Sequence, residues 1–573
     1  MEIGYRGEEA VGSDIATGLG GLGVEPVEDT DGHPVVVGAT TDSSLFSTVN
    51  QQADSPWIAV EIGGVGGTPL EGVSGAVSVL NPDGPCFTCL TQRITASGAP
   101  SGDTPGETSS AVAHFAGAVA GRLLQKDGIT GLAEQVGLVH LLDGGDARLL
   151  PVPACTCDPG SDRFDQPSLG EEAPPGDALE RAERAVDPRI GLISQVGEQS
   201  SYPVPYYVAE VADTSVMSDV QAARYAGGVD LDWNDAFMRA IGEGLERYSA
   251  GMYRLDALPA STPGEDIPLA SIPTSHEQPE QIDRRWPGID LHDGEPISLP
   301  VEAVTFPPPD GADIDAITTG LGLGETWTDA VLAGVTEVIE RDACMLAWYS
   351  TFEPLRLSVK HEPYRTLVRR LAGEGLSSTS LVMTQDIDIP VVTSIVHRRD
   401  SNGEPILEVP YTEDDAWPAF AVGSAAGLDP NIAAERALSE ATQNWVELRE
   451  MGPDRAQSEG NIAEFASFPR QARSLLASGP TVEAGDIGPT IEDGSQAALE
   501  HVLDELEQAE MSIYAARTTT RDLEMLGFEA CRVLVPDAQP LVQDRRHFTD
   551  RLRETPRTLG FQPRLDRGEH PYP

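Results

Sequence analysis

The chain has 573 residues, a formal net charge of −54 and only two lysines, Lys126 and Lys360. This length exceeds what one hydrophobic core usually organises, so several domains are expected. Acidic residues spread along the whole chain favour a high-salt cytoplasm, as in halophilic archaea, and exclude a protein that binds nucleic acid through a basic surface. No apolar run is long enough to cross a bilayer and no secretory signal opens the chain, so the sequence predicts a cytoplasmic protein without a membrane partner.

Residues 1–160 are predicted to form one α/β unit. Buried strands are predicted over 34–41 and 56–64, and the small residues of 110–124 indicate a closely packed helix. Residues 18–23 match the pattern GxGxxG. We interpret this match as a coincidence because no strand is evident before it and no acidic ribose partner follows at the expected distance.

Four of the six cysteines form two close pairs, Cys86 with Cys89 and Cys155 with Cys157. Paired thiols separated by a long segment suit a closed tetrathiolate zinc site, whereas disulfides are less expected in a cytoplasmic chain. The second pair is CxC instead of CxxC, so a mixed or incomplete site is the alternative.

The stretches around these pairs also carry a family resemblance. Residues 82–93, Pro-Asp-Gly-Pro-Cys-Phe-Thr-Cys-Leu-Thr-Gln-Arg, and 152–157, Val-Pro-Ala-Cys-Thr-Cys, resemble a reduced ThiF-type (ubiquitin-activating-like) domain. The resemblance implies that residues 1–160 hold structural Zn²⁺ and help to present a peptide without adenylating it.

Residues 161–186 are rich in Pro, Gly and acidic residues, which predicts a linker that ends in a short helix. Residues 187–573 are interpreted as an α+β domain with a mixed sheet and acidic helices at one face. Within it, the alternation over 378–399 predicts two strands. The Pro- and Asp-rich residues 255–313 predict a surface excursion.

The most informative stretch is 330–350, whose apolar residues recur at the three- and four-residue intervals of an amphipathic helix. Glu337 and Glu340 project from one face of this helix, with Arg341 beside them. Alone, this pattern is typical of a solvated helix with routine ion pairs. Two further predicted helices repeat it, with Glu243, Glu246 and Arg247 on residues 235–253, and Arg436 and Glu440 on residues 430–450. Three such helices could form one acidic site that binds Mg²⁺ together with phosphate.

At these residues the chain resembles the YcaO family of ATP-dependent enzymes that modify peptide backbones. The motifs small-x-x-Glu-x-x-Glu-Arg, Glu-x-x-Glu-Arg-Asp-Ala and Arg-Ala-Leu-x-Glu stand in the family order within residues 187–573. The resemblance implies Mg²⁺ ligands at Glu243, Glu246, Glu337 and Glu340. It further implies that the nucleotide or its metal is bound by a second set of residues, Arg247, Asp329, Arg341, Arg436 and Glu440.

Two positions depart from the family pattern. Ala226-Gly227-Gly228 stands where the family has Gly-Lys-Gly, and Glu325 stands where Asn is common. Both departures imply altered nucleotide contacts.

The sequence closes with Pro571-Tyr572-Pro573, and prolines at this spacing favour an extended strand. A frayed tail is the alternative. In azoline-forming YcaO members the terminal carboxylate lies near the active site, so the resemblance implies that Pro573 acts as the base while Arg341 serves the phosphoryl group.

Taken together, the resemblances imply an ATP- and Mg²⁺-dependent cyclodehydratase of bacteriocin-type biosynthesis. It would convert Cys, Ser or Thr of a ribosomally made precursor peptide to azolines. One alternative is thioamide formation with a sulfide donor, and another is a non-catalytic peptide-binding scaffold, which the missing lysine favours. The family also implies a homodimer and a partner protein, either a dehydrogenase or a sulfur donor.

Overall fold

The computed structural model describes residues 1–29, 35–102, 109–157, 163–273, 282–315, 317–398, 417–456, 466, 469–476, 479–489, 494–542 and 547–572. Among them, no helix combines the length and the apolar character that a membrane span requires.

The N-terminal part of the chain is built on one sheet. Its described strands are β1 (Glu2–Gly7), β2 (Glu25–Glu28), β3 (Val36–Thr40), β4 (Trp57–Ile62), β5 (Gly75–Leu80), β6 (Leu138–Leu141) and β7 (Asp146–Arg148). The strand order is β2-β1-β3-β4-β5-β6-β7, parallel as far as β4 and antiparallel beyond it. The accompanying helices are α1 (Gly12–Gly21), α2 (Leu45–Gln52), α3 (Phe87–Ala96), α4 (Ser110–Asp127) and α5 (Leu132–Gln135).

The glycines of the GxGxxG match serve helix packing. Contrary to the sequence analysis, a strand does precede them, since β1 leads into α1. However, residues 18–21 lie inside α1 and not in the turn that would hold a phosphate. A Cβ atom on Gly18 would lie 2.1 Å from the backbone oxygen of His114 on α4, and one on Gly117 would lie 2.1 Å from that of Ile15. The absence of side chains therefore lets α1 and α4 pack closely.

The C-terminal part contains three further sheets. Its described strands are β8 (Ile193–Ser200), β9 (Tyr206–Val211), β10 (Tyr225–Val229), β11 (Glu265–Asp266), β12 (Arg285–Asp290), β13 (Pro296–Pro300), β14 (Leu321–Gly324), β15 (Leu355–Ser358), β16 (Leu376–Val382), β17 (Val391–Arg398), β18 (Phe420–Ala426), β19 (Thr481–Glu483), β20 (Tyr514–Arg517) and β21 (Glu529–Leu534). The strand orders are β10-β9-β8, β11-β13-β12-β20-β21-β14 and β18-β17-β16-β15-β19.

The helices of this part are α6 (Ala178–Glu183), α7 (Trp233–Gly251), α8 (Val301–Val304), α9 (Trp327–Trp348), α10 (Glu362–Gly373), α11 (Pro430–Ala456), α12 (Arg470–Arg473), α13 (Ser495–Gln508), α14 (Arg521–Met525) and α15 (Asp550–Thr558). The three helices predicted to carry the acidic motifs are present as α7, α9 and α11. Side-chain caps fix two of their starts, because Asp232 accepts the backbone N–H of Asn234 at 2.8 Å and Thr326 accepts that of Asp329 at 3.1 Å. Helix α11 breaks at Gly452, whose φ is 72°.

The surface excursion predicted for residues 255–313 is wrong. Strands β12 and β13 pair with each other, and β12 continues to β20, so this segment forms half of a sheet. Trp286 on β12 is buried, and its Nε1 donates to the carbonyl of Arg517 at 3.0 Å. The sequence pattern of these strands is weak because prolines stand at both ends of β13 and one lies within β12. The two strands pair in spite of these prolines.

The molecule is thus a mixed α/β protein with sheets of mixed direction, as far as the described residues show. Helix α9 is buried along most of its length and packs against β14, β18 and β21, which places it at the centre of the largest hydrophobic cluster. The ThiF-like character of the N-terminal part and the domain boundaries remain predictions.

Candidate active site

Three strand–helix units carry the predicted acidic groups: β10 with α7, β14 with α9, and β18 with α11. In each unit, one glutamate of the helix accepts a backbone N–H from its own strand or from the residue just before it. The donor–acceptor distances are 3.0 Å from Gly227 to Glu243, 3.0 Å from Gly320 to Glu337 and 2.7 Å from Ser424 to Glu440. Each carboxylate is oriented by rigid backbone and keeps further lone pairs for a cation.

A glycine allows the close approach of strand and helix in each unit. A Cβ on Gly228 would lie 2.1 Å from the backbone nitrogen of Ala240, and one on Gly423 would lie 2.3 Å from that of Ala441. In the α9 unit, a Cβ on Gly322 would lie 2.1 Å from the carbonyl oxygen of Ala330. The three helices can therefore sit against their strands closely enough for the glutamates to reach them.

A cleft of about 740 Å³ opens between β10, α7 and α11. Charged and polar side chains dominate its wall: Asp230, Asp235, Arg239, Glu243, Glu246, Ser424, Glu435, Arg436, Ser439, Glu440 and Gln443. A second space of about 360 Å³ shares Ile432 and Arg436 with the cleft and extends to Asp329 at the start of α9. Of the predicted residues, Glu243, Glu246, Arg436 and Glu440 line the main cleft.

The arginines of the two paired motifs bridge their own glutamates. Arg247 lies 3.2 Å from Glu243 and 3.2 Å from Glu246, and its side chain is 16% exposed. Arg341 lies 3.4 Å from Glu340 and 3.8 Å from Glu337. Each guanidinium is thus held between two carboxylates of its own helix.

Ser424 connects α9 to α11. Its hydroxyl donates to Glu340 at 2.6 Å, while its backbone N–H donates to Glu440 at 2.7 Å. Although Glu337, Glu340 and Arg341 do not line the main cleft, Glu340 contacts one of its wall residues through this bond. The structure therefore brings all three acidic helices to one place.

The carboxylates resist ionisation because they are buried together. Burial raises the pKa of Glu246 to about 7, against the opposing effect of Arg247. Burial likewise raises the pKa of Glu440 to about 8, with Arg341 again opposing it, and also raises the pKa of Glu337. A divalent cation would relieve this accumulation of negative charge, and carboxylate oxygens are the ligands that Mg²⁺ prefers.

Unused donors point to an anion as well. Within the described residues, Nε and Nη1 of Arg341 and Nη1 of Arg247 are buried without a hydrogen-bond partner, although each Nη1 lies near a carboxylate. Buried guanidinium donors without a hydrogen bond are costly unless a ligand accepts from them. The residues present thus fit a metal–phosphate group, with oxygen ligands on the glutamates and donors on the arginines.

Asp329 is placed differently from the other predicted residues. One of its oxygens accepts from Thr326 at 2.7 Å and the other contacts the hydroxyl of Ser495. Both oxygens therefore already have partners, one at the start of α9 and one at the start of α13, and the residue lines only the smaller space. Glu325, which stands in place of the family's Asn, pairs with Arg181 of α6.

The C-terminal segment runs along α9. Trp348 donates to the carbonyl of Gly568 at 3.0 Å, and the guanidinium of Arg567 lies 3.7 Å from the centre of the Trp348 ring. Tyr572 is buried and hydrogen-bonds Thr393 at 3.2 Å, which in turn contacts Cys344, one turn after Glu340. Pro573, the predicted base, lies outside the described residues.

The four predicted cysteines come together at the start of α3. Their sulfur atoms all lie within 4.8 Å of one another. The separations are 3.8 Å for Cys86 and Cys89, 3.8 Å for Cys86 and Cys155, and 3.4 Å for Cys89 and Cys157. A tetrahedral zinc with Zn–S bonds of about 2.3 Å requires sulfurs about 3.8 Å apart. The cluster therefore fits a tetrathiolate zinc site, and the short CxC spacing does not prevent it.

Sequence reasoning missed several polar residues of the site. Ser424 lies in a small-residue strand, and its role depends on pairing with a helix 84 positions away. Asp230, Arg239 and Glu435 also line the cleft, where Arg239 pairs with Asp230 at 2.9 Å. Only Glu435 could have been suspected, because it precedes Arg436 in the third motif.

Comparisons with known proteins find relatives of this chain. Two curated relatives match over about half of their own length. One is an uncharacterized protein of Methanothermobacter thermautotrophicus, 27% identical over 222 residues, which are 36% of this chain and 53% of the relative. The other is an uncharacterized protein in the tfuA 3′ region of Rhizobium leguminosarum bv. trifolii. It is 26% identical over 248 residues, which are 41% of this chain and 52% of the relative.

Solved structures share the fold at low identity. A heterocyclase in complex with substrate and cofactor superposes with a TM-score of 0.72 at 17% identity, covering 98% of this chain and 83% of its own. The heterocyclase TruD gives a TM-score of 0.66 at 17% identity, and the match covers 98% of this chain and 82% of TruD. The YcaO protein of Methanopyrus kandleri, bound with AMPPCP and Mg²⁺, gives a TM-score of 0.50 at 21% identity. The match covers 65% of this chain and 91% of that protein.

The family model described as YcaO cyclodehydratase, ATP- and Mg²⁺-binding, matches residues 227–539, a span that begins in β10 and includes all three acidic helices. This match covers more than half of the sequence, and it confirms the resemblance seen in the motifs. The chain belongs to the YcaO family.

Proposed function

We propose that this protein is an ATP- and Mg²⁺-dependent cyclodehydratase of a ribosomally made precursor peptide. A substrate Cys, Ser or Thr side chain would attack the preceding backbone carbonyl. The γ-phosphoryl group of ATP would pass to the resulting oxyanion, and departure of phosphate would leave an azoline. The net change is the loss of one water from the peptide for each ATP converted to ADP and phosphate.

The observation that supports this proposal most strongly is the meeting of glutamates from α7, α9 and α11 beside guanidinium groups with unused donors. We assign Glu243, Glu246, Glu337 and Glu340 to Mg²⁺, and Arg247, Arg341, Arg436 and Glu440 to the nucleotide or its metal. Bound Mg²⁺ would offset the charge on the transferring phosphoryl group. The fixed guanidinium of Arg341 would stabilise the same charge through preorganised donors.

Asp329 receives a weaker assignment. Its oxygens are engaged by Thr326 and Ser495, so a direct metal bond would require both partners to be displaced. Its position in the smaller space, next to Arg436, is compatible with a part of the nucleotide away from the phosphates.

The position of the C-terminal segment supports cyclodehydration over thioamide formation. Tyr572 is buried and hydrogen-bonds Thr393, which contacts Cys344 one helical turn after Glu340. We propose that the carboxylate of Pro573 reaches the substrate and accepts a proton there. Thioamide formation with a sulfide donor remains the second candidate, because it uses the same ATP chemistry and the same cleft.

For residues 1–160 we propose a peptide-presenting role and a structural Zn²⁺ held by Cys86, Cys89, Cys155 and Cys157. The support is that the four sulfurs all lie within 4.8 Å of one another. The donation from the backbone N–H of Val152 to Cys89 Sγ at 3.3 Å stabilises a thiolate there. This role does not require the protein to bind a second nucleotide.

The test is intact mass spectrometry of a candidate precursor peptide after incubation with the protein, ATP and Mg²⁺ in concentrated KCl. A loss of one water per modified residue supports cyclodehydration. Exchange of oxygen for sulfur, only when sulfide is added, would replace the proposal with thioamide formation. Absence of ATP hydrolysis with every peptide would instead favour a non-catalytic scaffold. The Glu337→Gln variant controls for contaminating activity, because it should show neither product nor ATP turnover.

A further inference from the structure

Three buried polar side chains from distant parts of the chain meet between the cysteine cluster and α7. They are Arg93 on α3, Tyr248 on α7 and Asp522 on α14, and none is more than 1% exposed. Arg93 donates to the hydroxyl of Tyr248 at 3.1 Å, and that hydroxyl donates to Asp522 at 2.6 Å. Arg93 also pairs directly with Asp522 and donates to the carbonyl of Pro151 at 3.1 Å. The hydroxyl of Tyr248 thus completes a closed triangle.

Each corner of the triangle belongs to an element that carries another functional group. Arg93 lies one helical turn after Cys89 on α3, and Tyr248 directly follows Glu246 and Arg247 on α7. Next to Asp522, Arg521 donates to the backbone carbonyl of Cys157 at 3.3 Å and also contacts that of Asp83. The same short helix therefore contacts both the cysteine cluster and the triangle.

The triangle is poorly explained by stability alone. A fully buried ion pair usually contributes no more than well-packed apolar residues of the same volume, because both charges must be desolvated. Such groups are more informative as devices that fix position. Tyr248 is rotated by about 200° from Glu246 around α7, so the triangle holds the side of the helix that faces away from the cleft.

We propose that Arg93 is a positioning residue, supplied by the N-terminal part of the protein, for the metal-binding glutamates of α7. Through Tyr248 and Asp522, it sets the rotation and axial position of α7, and thereby where Glu243 and Glu246 present their carboxylates. This inference rests on the proposed function only in taking these glutamates as Mg²⁺ ligands.

The Tyr248→Phe variant tests the proposal most sharply. It removes the hydroxyl that joins α7 to the other two residues but leaves the ring and the Arg93–Asp522 pair in place. Tyr364→Phe is the matched control, since Tyr364 is also buried and its hydroxyl hydrogen-bonds Ser380 at 2.8 Å, away from the triangle. Arg93→Lys is the second variant, because lysine keeps the charge next to Asp522 but lacks the fork that reaches three partners.

The measurement is a calorimetric titration of Mg²⁺ into the full-length protein with a non-hydrolysable ATP analogue. We expect Tyr248→Phe to raise the half-saturating Mg²⁺ concentration about two- to ten-fold, the range that corresponds to one lost hydrogen bond. Arg93→Lys should shift it in the same direction, and Tyr364→Phe should leave it unchanged. A purely structural role would lower the bound fraction at saturation without moving the midpoint.

The outcomes separate this inference from the proposed function. If the unchanged protein binds the analogue with Mg²⁺ and Tyr248→Phe has the same midpoint, the positioning role is wrong and the proposed function stands. If Tyr248→Phe does not fold, an unshifted midpoint in Arg93→Lys overturns the role equally. If the unchanged protein does not bind Mg²⁺ with the analogue, the metal assignment and this inference both fail.

Discussion

The substitution Ser424→Ala tests the hydrogen bond by which Ser424 connects α9 to α11. The Ser424 hydroxyl donates to Glu340 at 2.6 Å, and both residues are buried. The backbone bond from residue 424 to Glu440 survives the substitution, as does the packing of β18 against α11. Only the donor that orients Glu340 is lost, so the carboxylate becomes free to turn toward Arg341 and away from a metal.

The expected loss can be worked out from this contact. A hydrogen bond to a charged group is worth about 1.5–3 kcal/mol, which corresponds to a factor of about 10–160 in an equilibrium constant. Removal of a partner that orients a metal ligand typically weakens metal affinity by about 10- to 100-fold. The two estimates agree, so we expect Ser424→Ala to weaken Mg²⁺ binding with nucleotide by at least about ten-fold.

The assay is Mg²⁺-dependent ATP hydrolysis, with Mg²⁺ titrated at saturating nucleotide. Ser394→Ala is the matched control, because Ser394 is buried on the adjacent strand β17 and shares its hydroxyl with Ser380 at 2.7 Å. Both variants should lose similar thermal stability, but only Ser424→Ala should require more Mg²⁺. Equal Mg²⁺ requirements for the two variants would refute the reasoning that Glu340 is a metal ligand oriented by Ser424.

Three further predictions concern other parts of the molecule. Glu337→Gln should abolish ATP turnover while circular dichroism remains unchanged, because the amide keeps the shape but not the charge that binds Mg²⁺; retained turnover would remove the metal assignment. Cys86→Ser should lower the zinc content measured by mass spectrometry to well below one per chain, and an unchanged content would exclude the tetrathiolate site. Asp342→Asn should destabilise the protein by about 1.5–3 kcal/mol, since it removes the charge that accepts hydrogen bonds from Arg551, while Arg551 keeps Asp386 as its second partner. Differential scanning calorimetry would detect the loss, and a melting temperature equal to that of the unchanged protein would contradict it.

The sequence was most informative where spacing and secondary structure work together. The period of α7, α9 and α11 indicated which glutamates share a helix face. In the structure the faces of α7 and α11 line one cleft, and Ser424 connects α9 to it. The cysteine pairs could be linked because two close thiol pairs separated by a long segment suit a tetrathiolate zinc site. In both cases the pattern is local, so no knowledge of the tertiary fold was required to see it.

What the sequence did not reveal depends on long-range pairing. Ser424 looks like one more small residue of a strand, and its bond to Glu340 arises only when β18 packs between α9 and α11. Strands β12 and β13 were missed because prolines mask their period, while their stability comes from β20, more than two hundred positions later. Tertiary pairing overrides local propensity in both segments.

The motif Glu-x-x-Glu-Arg-Asp-Ala shows how one short stretch serves two purposes. Successive helical residues are rotated by about 100°, so Asp342 points about 200° away from Glu340. On that side Asp342 accepts the backbone N–H of Gln539 at 2.8 Å and two donors of Arg551, which also contacts Asp386. These bonds hold Gln539 and Arg551 against α9, and the described residues that follow Arg551 return to the same helix at Trp348. The aspartate of the motif therefore holds the C-terminal segment, whereas the two glutamates and Arg341 are the groups proposed to bind metal and phosphate. One rigid helix, α9, carries both sets of groups. A shift of α9 would therefore move the glutamates and the C-terminal segment together, so that the distance between them is preserved.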